Sequence, residues 1–444
     1  MNYIKYIIFL GACLFFSGCE IEEIVNPNGP SIEGTAQDAT KSELQTLVSG
    51  SEDYLRKEIG FYYDVVSIIG REYYFFTGSD PRYTGEVLGR AESTLDNAGF
   101  YGTRPYFGRY RTIRNLNLVI EAVNNTGILS SEETNGYLGF AKTFQAYELH
   151  LAANLQFDNG IRTNVADIDN LGNFESYETA LANILSLLDE ANTHLSNAGG
   201  SFSFVLSSAM HDGDDMVLSE RDFNTPATFA TFNRALSARI ALYQGNFDDA
   251  RARLGDSFLD MDGPGNIGPA RFYSTSGGDF ANNIFRVPNQ ADAIIAHPSF
   301  VTDAESGDTR LDWVELRPSG TLALDGLSGE YDVVVYTSLN DFVPYINNSE
   351  LKLIMAECNI GTDNSAAVSA LNAVRADAGL GDYSGGMSDE DLMAELVTQR
   401  RYALFGQGHR WVDNRRWGTL DDLPIDRPGD DVWERFPRPV SEPQ

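Results

Sequence analysis

Apolar side chains recur at helical spacing along most of this chain, and this pattern constrains the fold more than any other feature of the sequence. Residues three or four apart share one face of an α-helix, so such a stripe predicts a helix with one buried face. Within residues 177–195, for example, Leu181, Ile184, Leu188 and Leu195 fall on one face. The segments with this pattern are 41–59, 104–123, 132–155, 177–195, 226–243, 247–254, 350–360, 365–376 and 389–405. The sequence therefore predicts a mostly α-helical protein.

The junction between the segments 226–243 and 247–254 indicates how these helices are joined. Gly245 permits a tight turn, Phe247 is expected to pack back on the preceding helix, and Ala250 allows close helix approach. This turn resembles that of a tetratricopeptide repeat, whose helix pairs bury their apolar faces against neighbouring pairs. The segments do not recur at the fixed period of about 34 residues that such repeats keep. The expected scaffold is therefore a set of degenerate, interrupted helix pairs.

Long stretches rich in glycine, aspartate, asparagine, serine and aromatic residues separate the helical segments. Loops of this length in a globular domain are usually functional. We therefore expect an irregular lobe beside the helical scaffold, with isolated short strands such as 332–337. The main stretches of this lobe are residues 70–103, 199–225 and 256–347.

The start of the chain has the layout of an export signal followed by a tether. Lys5 is followed by an apolar run over residues 6–16 and then by small residues before Cys19. Secretory signals share this layout, and the run is shorter than the roughly 20 residues that span a bilayer. We interpret residues 1–18 as a lipoprotein signal that is removed, Cys19 as the lipidated new N-terminus, and residues 19–40 as its tether.

An acidic segment, residues 20–23, follows Cys19 directly. It resembles the signal that sends Bacteroidota lipoproteins to the outer face of the outer membrane. We therefore expect a protein that is lipid-anchored in the outer membrane and faces the cell exterior. Residues 41–444 would then form its folded part, as a single domain.

The balance of charge and the cysteine count exclude some partners and some stabilising devices. The chain has 32 lysine and arginine residues against 64 aspartate and glutamate residues, a formal net charge of −32. So acidic a surface repels nucleic acid at long range, and nucleic acid is not an expected partner. Cys13 is removed with the export signal and Cys19 is lipidated, which leaves Cys358 as the one unmodified cysteine. It falls in a helical segment, where a lone cysteine is usually a buried, inert thiol.

The C-terminal part of the chain carries its most specific pattern, in residues 399–418. Two arginines, a tryptophan and an aspartate lie close together there, which favours charge-assisted bonds and guanidinium stacking that fix a terminal helix. The alternative is that Trp411 or Trp417 offers a platform for a sugar ring. The residues of the framework are Gly408, Arg410, Trp411, Asp413, Arg415 and Arg416.

This pattern resembles the C-terminal motif of the SusD/RagB family. Residues 344–357 and 370–380 look like the two helices that precede the motif in that family, and the run at 26–30 also fits. Acidic residues are expected or common in the family at three motif positions, and an apolar residue at a fourth. This chain departs from the family there with Gln399, Ala403, Gln407 and Asn414.

The resemblance implies a SusD-like fold and a binding function, with no chemistry performed on the ligand and no cofactor. Proteins of this family sit on a SusC-like TonB-dependent transporter in the outer membrane. They capture an oligosaccharide or another nutrient and close over the barrel as a lid. The resemblance therefore implies three partners for this chain: a glycan, the transporter, and the membrane that holds its lipid.

Two places in the lobe offer the side chains that a sugar needs. Aromatic rings cover the flat C–H faces of sugars with little entropy to lose, while asparagine, aspartate and arginine bond the hydroxyls. Asp308 and Arg310 resemble a structural pair of the family and are expected to hold the loop of Trp313. The alternative for each aromatic side chain is core packing. The predicted ligand-binding residues are Tyr73, Tyr74, Phe75, Arg82, Tyr83 and Trp313. Weaker candidates, expected in the core, are Tyr331, Tyr336, Phe272 and Tyr273.

Metal and catalytic motifs are weak. Asp167, Asp169 and Glu178 fall at positions 1, 3 and 12 of a calcium loop, but Leu171 stands at a ligand position. The five histidines show no zinc-ligand spacing, and the glycine-rich run 263–268 lacks the strand and helix that a dinucleotide site needs. We therefore expect no metal, with calcium at the three carboxylates as a weak alternative.

Other functions stay open at the level of the residues. A surface glycoside hydrolase would also use aromatic side chains and carboxylates, which are abundant here. A peptide-binding member of the same family, or a helical-repeat scaffold with only protein partners, is a third alternative. The acidic charge favours a neutral glycan over a polyanion unless Arg71, Arg82 and Arg90 form a basic patch. A β-glucan such as laminarin is the kind of ligand that we expect.

Overall fold

The computed structural model describes residues 36–210 and 222–442. The expected signal, Cys19 and most of the tether fall outside the described residues. Within them, the helices α1 to α12 are Lys41–Arg56, Ile59–Ile69, Phe100–Asn125, Ser131–Gln156, Tyr177–Ser196, Pro226–Tyr243, Phe247–Gly255, Pro298–Thr302, Asn348–Asn359, Asn364–Asp377, Asp389–Ala403 and Arg410–Trp417. The strands β1 to β8 are Tyr73–Phe76, Ala270–Arg271, Ala293–Ala296, Val314–Leu316, Leu322–Leu324, Leu327–Gly329, Tyr331–Val333 and Val343–Pro344.

Helices dominate the fold, and the strands form small antiparallel sheets beside them. From α3 through α6, each helix packs against the next one along the chain, and α9, α10 and α11 pack together as a second group. The strands form one sheet of four strands and two sheets of two. This arrangement confirms the predicted fold class, a helical scaffold with a loop-rich lobe of short strands. No helix within 36–210 or 222–442 is long and apolar enough to cross a membrane.

The turn between α6 and α7 has the predicted form, with one exception. Gly245 has a φ of +73°, a left-handed conformation that glycine adopts without strain. Ala250 is fully buried, as expected for a close helix contact. Phe247, in contrast, is 37 % exposed, so its ring is not part of the buried core.

The predicted helix over residues 41–59 ends at Arg56, and a second helix that was not predicted, α2, begins at Ile59. Glu58, between the two helices, has a φ of +59° and interrupts the helical backbone. The whole of α2 is buried except Phe61. A helix that is covered on all sides carries no amphipathic stripe. For this reason the spacing of apolar residues did not reveal α2.

The four-stranded sheet brings the aromatic run at residue 73 together with distant parts of the lobe. Its strand order is β1-β3-β7-β4, and Tyr73 pairs with Ala296 while Phe76 pairs with Ala293. Strand β7 covers Tyr331–Val333, so the predicted strand at 332–337 exists but is shorter and begins one residue earlier. Strand β4 pairs with β7, which places Trp313 beside the start of the segment that leads to β8.

The C-terminal motif has the structural role that its residues predicted. Asp413 accepts hydrogen bonds from Arg400 Nε at 2.7 Å and from Arg416 Nε at 2.9 Å. Trp411 is fully buried and donates through Nε1 to the Trp433 carbonyl at 2.6 Å. Burial therefore excludes Trp411 as a sugar platform. Cys358 is also buried, as predicted.

Candidate ligand-binding site

A cleft of about 1080 Å³ opens between the helical scaffold and the lobe. Its walls come from four parts of the chain: the short helical turn before β4, the β7–β8 connection, the loop at 264–266, and the end of α10. Residues near the start of α9 and the α11–α12 connection line it from below. This volume lies at the upper end of the range for ligand pockets, about 300–1,000 Å³.

Three aromatic side chains give the cleft an apolar surface. Trp313, Tyr336 and Phe342 all line it, and each is only partly buried. The Trp313 carbonyl accepts a hydrogen bond from the backbone N–H of Val334 at 2.8 Å, which joins the two walls. Phe342 packs on Phe272, with ring centroids 5.6 Å apart. The rings are thus held in place from behind while they remain accessible from the cleft.

Arg310 lines the cleft, but its charge is already engaged. Its Nε and Nη2 donate to the two carboxylate oxygens of Asp308 at 2.8 and 2.7 Å, and its Nη1 donates to Gln399 at 2.8 Å. These bonds confirm the predicted structural pair that holds the Trp313 loop. Among the described residues that line the cleft, Arg310 is the single cation. The cleft therefore offers an anionic ligand no available positive charge.

Two carboxylates complete the charged lining, and both have partners. Asp377 accepts from Lys352 Nζ at 2.8 Å. Asp341 closes a turn by accepting from the backbone N–H of Ser338 at 3.0 Å and from Thr337 Oγ1 at 3.1 Å. Burial acts to raise the pKa of the Asp341 carboxyl, but the bonds from Ser338 and Thr337 outweigh it and hold that pKa below its usual range. Asp341 is thus an ionised acceptor that orders the β7–β8 connection.

Of the six predicted ligand-binding residues, the structure places Trp313 in this cleft and the other five elsewhere. Tyr73, Tyr74 and Tyr83 are 3, 2 and 5 % exposed, so they belong to the core. Phe75 is partly buried against Tyr83, with ring centroids 4.7 Å apart. Strand residues alternate between the two faces of a sheet, and both faces of β1 are covered by other elements. A run of aromatic residues can therefore pack in the core on both faces of the strand, with no ring that faces outward.

Arg82 lies in a second, smaller groove of about 490 Å³. Its guanidinium is bound to Asp80 at 2.6 Å and lies 4.5 Å from the centre of the Phe100 ring. Arg90 in the same groove pairs with Asp325. Arg71 is fully buried and donates to backbone carbonyls. The three arginines therefore form no shared basic patch.

Several residues of the cleft were not singled out by sequence. Tyr336 ranked only as a weak candidate, and Phe342, Asn340 and Asn347 carried no signal by themselves. Gln407 did carry one, because it stands where the family commonly has an acid. All five line the cleft.

The weak calcium alternative gains no support. The Asp167 carboxylate accepts from the backbone N–H of Asp169 at 2.9 Å, which is a local turn. Glu178 lies in the first turn of α5, where an acid is favoured in any case. In the part of the chain that the structure describes, no three histidine, cysteine or acidic side chains are placed to hold a metal ion, these three included.

A largely buried histidine, His409, lies two residues beyond Gln407, with a side chain that is 11 % exposed. Its Nε2 lies 3.5 Å from Glu350, which is itself bound by Arg239 at 2.6 Å. Burial lowers the pKa of His409 to about 4, although Glu350 and Asp413 act in the opposite direction. The neutral form of this imidazole is therefore the one that the folded protein holds at neutral pH.

The depressed pKa of His409 predicts a pH dependence of stability. In the unfolded chain this histidine titrates near 6.5, so its contribution is complete above that pH and is lost as the pH falls towards 4. Between pH 7.5 and 5 the contribution should fall by about 2 kcal/mol. We expect the free energy of unfolding, measured in urea, to fall less in His409→Gln than in the wild type over this pH range, and the difference between the two falls should be about 2 kcal/mol. His194→Gln provides the comparison: burial also lowers the pKa of His194, but this side chain is partly exposed, so its loss should change the slope less than the loss of His409.

Comparison with known proteins finds a family model and solved structures that resemble this chain. Residues 337–433, which include the second part of the β7–β8 connection (337–342) and helices α9 to α12, match the model of the SusD family. No curated protein sequence matches the chain. The matched segment supplies part of the cleft lining, including Thr337, Asp341 and Gln407.

Solved structures share the fold over most of the chain at low sequence identity. A SusD superfamily protein of Bacteroides vulgatus is 16 % identical with a TM-score of 0.64, over 90 % of this chain and 96 % of that one. A SusD superfamily protein of Bacteroides thetaiotaomicron is 16 % identical with a TM-score of 0.63, over 86 and 93 %. A SusD-like carbohydrate binding protein of B. vulgatus is 14 % identical with a TM-score of 0.61, over 84 and 83 %. The C-terminal segment thus matches the SusD family model, and the chain has the fold of the solved SusD superfamily proteins.

Proposed function

We propose that the protein captures a glycan at the cell surface, in the cleft of Trp313, and delivers it to a SusC-like TonB-dependent transporter as its lid. The observation that carries the proposal is the composition of the cleft. Three accessible aromatic rings stand beside amides and carboxylates, which is the combination that sugar C–H faces and hydroxyls require. The solved relative of B. vulgatus that is described as a carbohydrate binding protein supports the same ligand class.

The charge of the cleft favours a neutral glycan. A sulfated or uronic-acid chain would meet Asp341 and Asp377 there, while Arg310 is bound to Asp308 and has no charge to offer. The net charge of −32 adds long-range repulsion to this local effect. We therefore propose an oligosaccharide or polysaccharide without acidic groups, and a β-glucan such as laminarin as a ligand to test first.

Hydrolysis of the glycan is disfavoured by the same two carboxylates. A glycosidase needs one carboxylic acid whose raised pKa keeps it protonated, opposite a free carboxylate. The pKa of Asp341 is instead held below its usual range by four hydrogen bonds within the β7–β8 connection. Asp377 is occupied by Lys352. Binding without turnover is the function that this chemistry supports.

The proposed location rests on the N-terminal sequence. We propose that residues 1–18 are removed, that Cys19 is lipidated, and that residues 19–40 tether a single domain to the outer face of the outer membrane. The layout of the apolar run and the acidic residues after Cys19 support this assignment. A lid for a transporter has to be held at that membrane, so location and function are consistent.

Affinity electrophoresis of residues 20–444 tests the proposed function. Native gels would contain laminarin, other neutral glycans, or the anionic polysaccharide alginate, and serum albumin would serve as the non-binding standard. We expect retardation by a neutral glycan, no retardation by alginate, and no release of reducing ends from the glycan over a day. Retardation by alginate alone would contradict the neutral ligand, and release of reducing ends would favour the hydrolase. Binding of peptides but of no glycan would overturn the glycan assignment.

A further inference from the structure

A side-chain amide can donate from its nitrogen and accept at its oxygen, so its orientation decides which ligand group it binds. The orientation of Asn340, at the tip of the β7–β8 connection, is fixed by its surroundings. The backbone N–H of Thr275 lies 2.9 Å from Asn340 Oδ1. A backbone N–H only donates, so the oxygen has to face Thr275. Nδ2 is then the side that remains for other partners, and it has none among the described residues.

The orientation of Gln407 follows from a chain of two hydrogen bonds. Asn347 is the N-cap of α9, and its Oδ1 accepts from the backbone N–H of Glu350 at 3.0 Å. That bond leaves the Nδ2 of Asn347 to face Gln407, and it donates to Gln407 Oε1 at 3.3 Å. The oxygen of Gln407 is therefore occupied. Its Nε2 has no partner within 36–210 and 222–442, and the side chain lines the cleft.

We infer that Asn340 and Gln407 contact the ligand as hydrogen-bond donors, through Nδ2 and Nε2, and that Asn347 is a positioning residue that fixes Gln407. This inference rests on the proposed function and names its specificity. The two donors would select a glycan that presents acceptor oxygens, in its ring, its linkages or its hydroxyls, on the side that faces them. Because an amide donates without charge, such a site keeps its selectivity for neutral sugars.

The family comparison gives Gln407 particular weight. An acid at this position would present only acceptor oxygens to the cleft when it is ionised. The glutamine amide has a donor nitrogen in place of one of those oxygens, and the size of the side chain stays the same. Asn340 is exposed, on a turn that the Asp341 carboxylate closes. The preformed turn lowers the cost of ordering Asn340 when the ligand binds.

Isosteric acids test the donor assignment. Asn340→Asp and Gln407→Glu keep the oxygen that faces Thr275 or Asn347 but replace the donor with an anionic acceptor. Each substitution should weaken binding of the glycan that retards the wild type by at least about threefold, which corresponds to the loss of one hydrogen bond. The melting temperature should stay within a few degrees. Asn124→Asp makes the same change at an exposed site outside the cleft and should bind as wild type. Unchanged affinity in both acid variants would overturn the inference.

Asn347→Asp tests the positioning role separately. Aspartate caps a helix as well as asparagine does, so the melting temperature should hold. The new carboxylate would instead attract Gln407 Nε2 and turn the donor away from the cleft, so the affinity should fall as far as in Gln407→Glu. Combining Asn347→Asp with Gln407→Ala should cost no more affinity than Gln407→Ala alone. If the losses of affinity in Asn347→Asp and Gln407→Ala add in full, or if Asn347→Asp binds as the wild type does, Asn347 does not position Gln407.

Trp313→Ala, measured in parallel, separates this inference from the proposed function. If Trp313→Ala weakens binding while the acid variants do not, the cleft is the site and the donor assignment alone is wrong. If none of these variants weakens binding, or if no glycan binds the wild type, the proposed site fails and the donor assignment fails with it.

Discussion

Replacing Asp413 with alanine is expected to lower the free energy of unfolding by about 3–5 kcal/mol. Asp413 is 2 % exposed and accepts from Arg400 Nε and Nη2 at 2.7 and 3.1 Å, as well as from Arg416. Arg416 keeps a second partner in Glu357. Arg400 has no other carboxylate partner within the described residues, so the substitution would leave its guanidinium buried and uncompensated. Urea unfolding at pH 7.5 measures the loss.

Asp189 provides a matched control, because it also joins two arginines but its own side chain is 46 % exposed. It accepts from Arg234 at 2.8 Å and from Arg253 at 3.0 Å. Water screens this carboxylate, and the buried Arg234 keeps Asn233 and the Leu188 carbonyl as acceptors, so Asp189→Ala should cost less than about 1 kcal/mol. Equal losses in the two variants would show that burial does not govern the strength of these clusters. A small loss in Asp413→Ala alone would refute the structural role of the C-terminal motif.

The helical scaffold was predictable because its information is local. Segment 226–243 matches α6 residue for residue, since an apolar stripe, a capping threonine and a first-turn proline all act within a few residues. The second helix, α2, was missed for the opposite reason. It is buried on nearly all sides, and burial of that kind is decided by elements that are distant in sequence.

The site was predictable only where its determinants are local. Asp308 and Arg310 are two residues apart, so their pairing could be expected, and with it a held loop at Trp313. Tyr336 comes to that loop through the pairing of β4 with β7, which no local pattern encodes. The aromatic run at residue 73 misled for the same reason, because the elements that cover both faces of β1 come from far along the chain.

Gln407 shows a third situation, in which a departure from a pattern was the signal. The loss of a common acid was visible in the sequence, but its meaning was not. Only the cap of α9 reveals it, because the Asn347–Glu350 bond decides which end of the Gln407 amide faces the cleft. Polar specificity therefore depends on second partners that sequence reasoning does not supply.

The largest effect on ligand binding is expected from Trp313→Ala. Binding energy concentrates in a few aromatic anchors, and truncation of one costs about 2 kcal/mol or more, which is roughly a 30-fold loss of affinity. Trp313 is partly buried, so the free energy of unfolding should fall by no more than about 1–2 kcal/mol. Isothermal titration with the glycan that retards the wild type gives the affinity, and urea unfolding gives the stability. Trp313→Phe should retain part of the affinity, since a ring remains.

Trp417 makes this prediction sharp, because it is the tryptophan that the C-terminal motif offered as an alternative platform. It is also partly buried, and its Nε1 donates to Glu357 at 2.9 Å. It is not among the residues that line the cleft. Trp417→Ala should therefore lower stability through the lost bond while the glycan affinity stays at the wild-type value. Loss of affinity in Trp417→Ala with none in Trp313→Ala would instead place the ligand at the partly buried ring of the motif and not in the cleft.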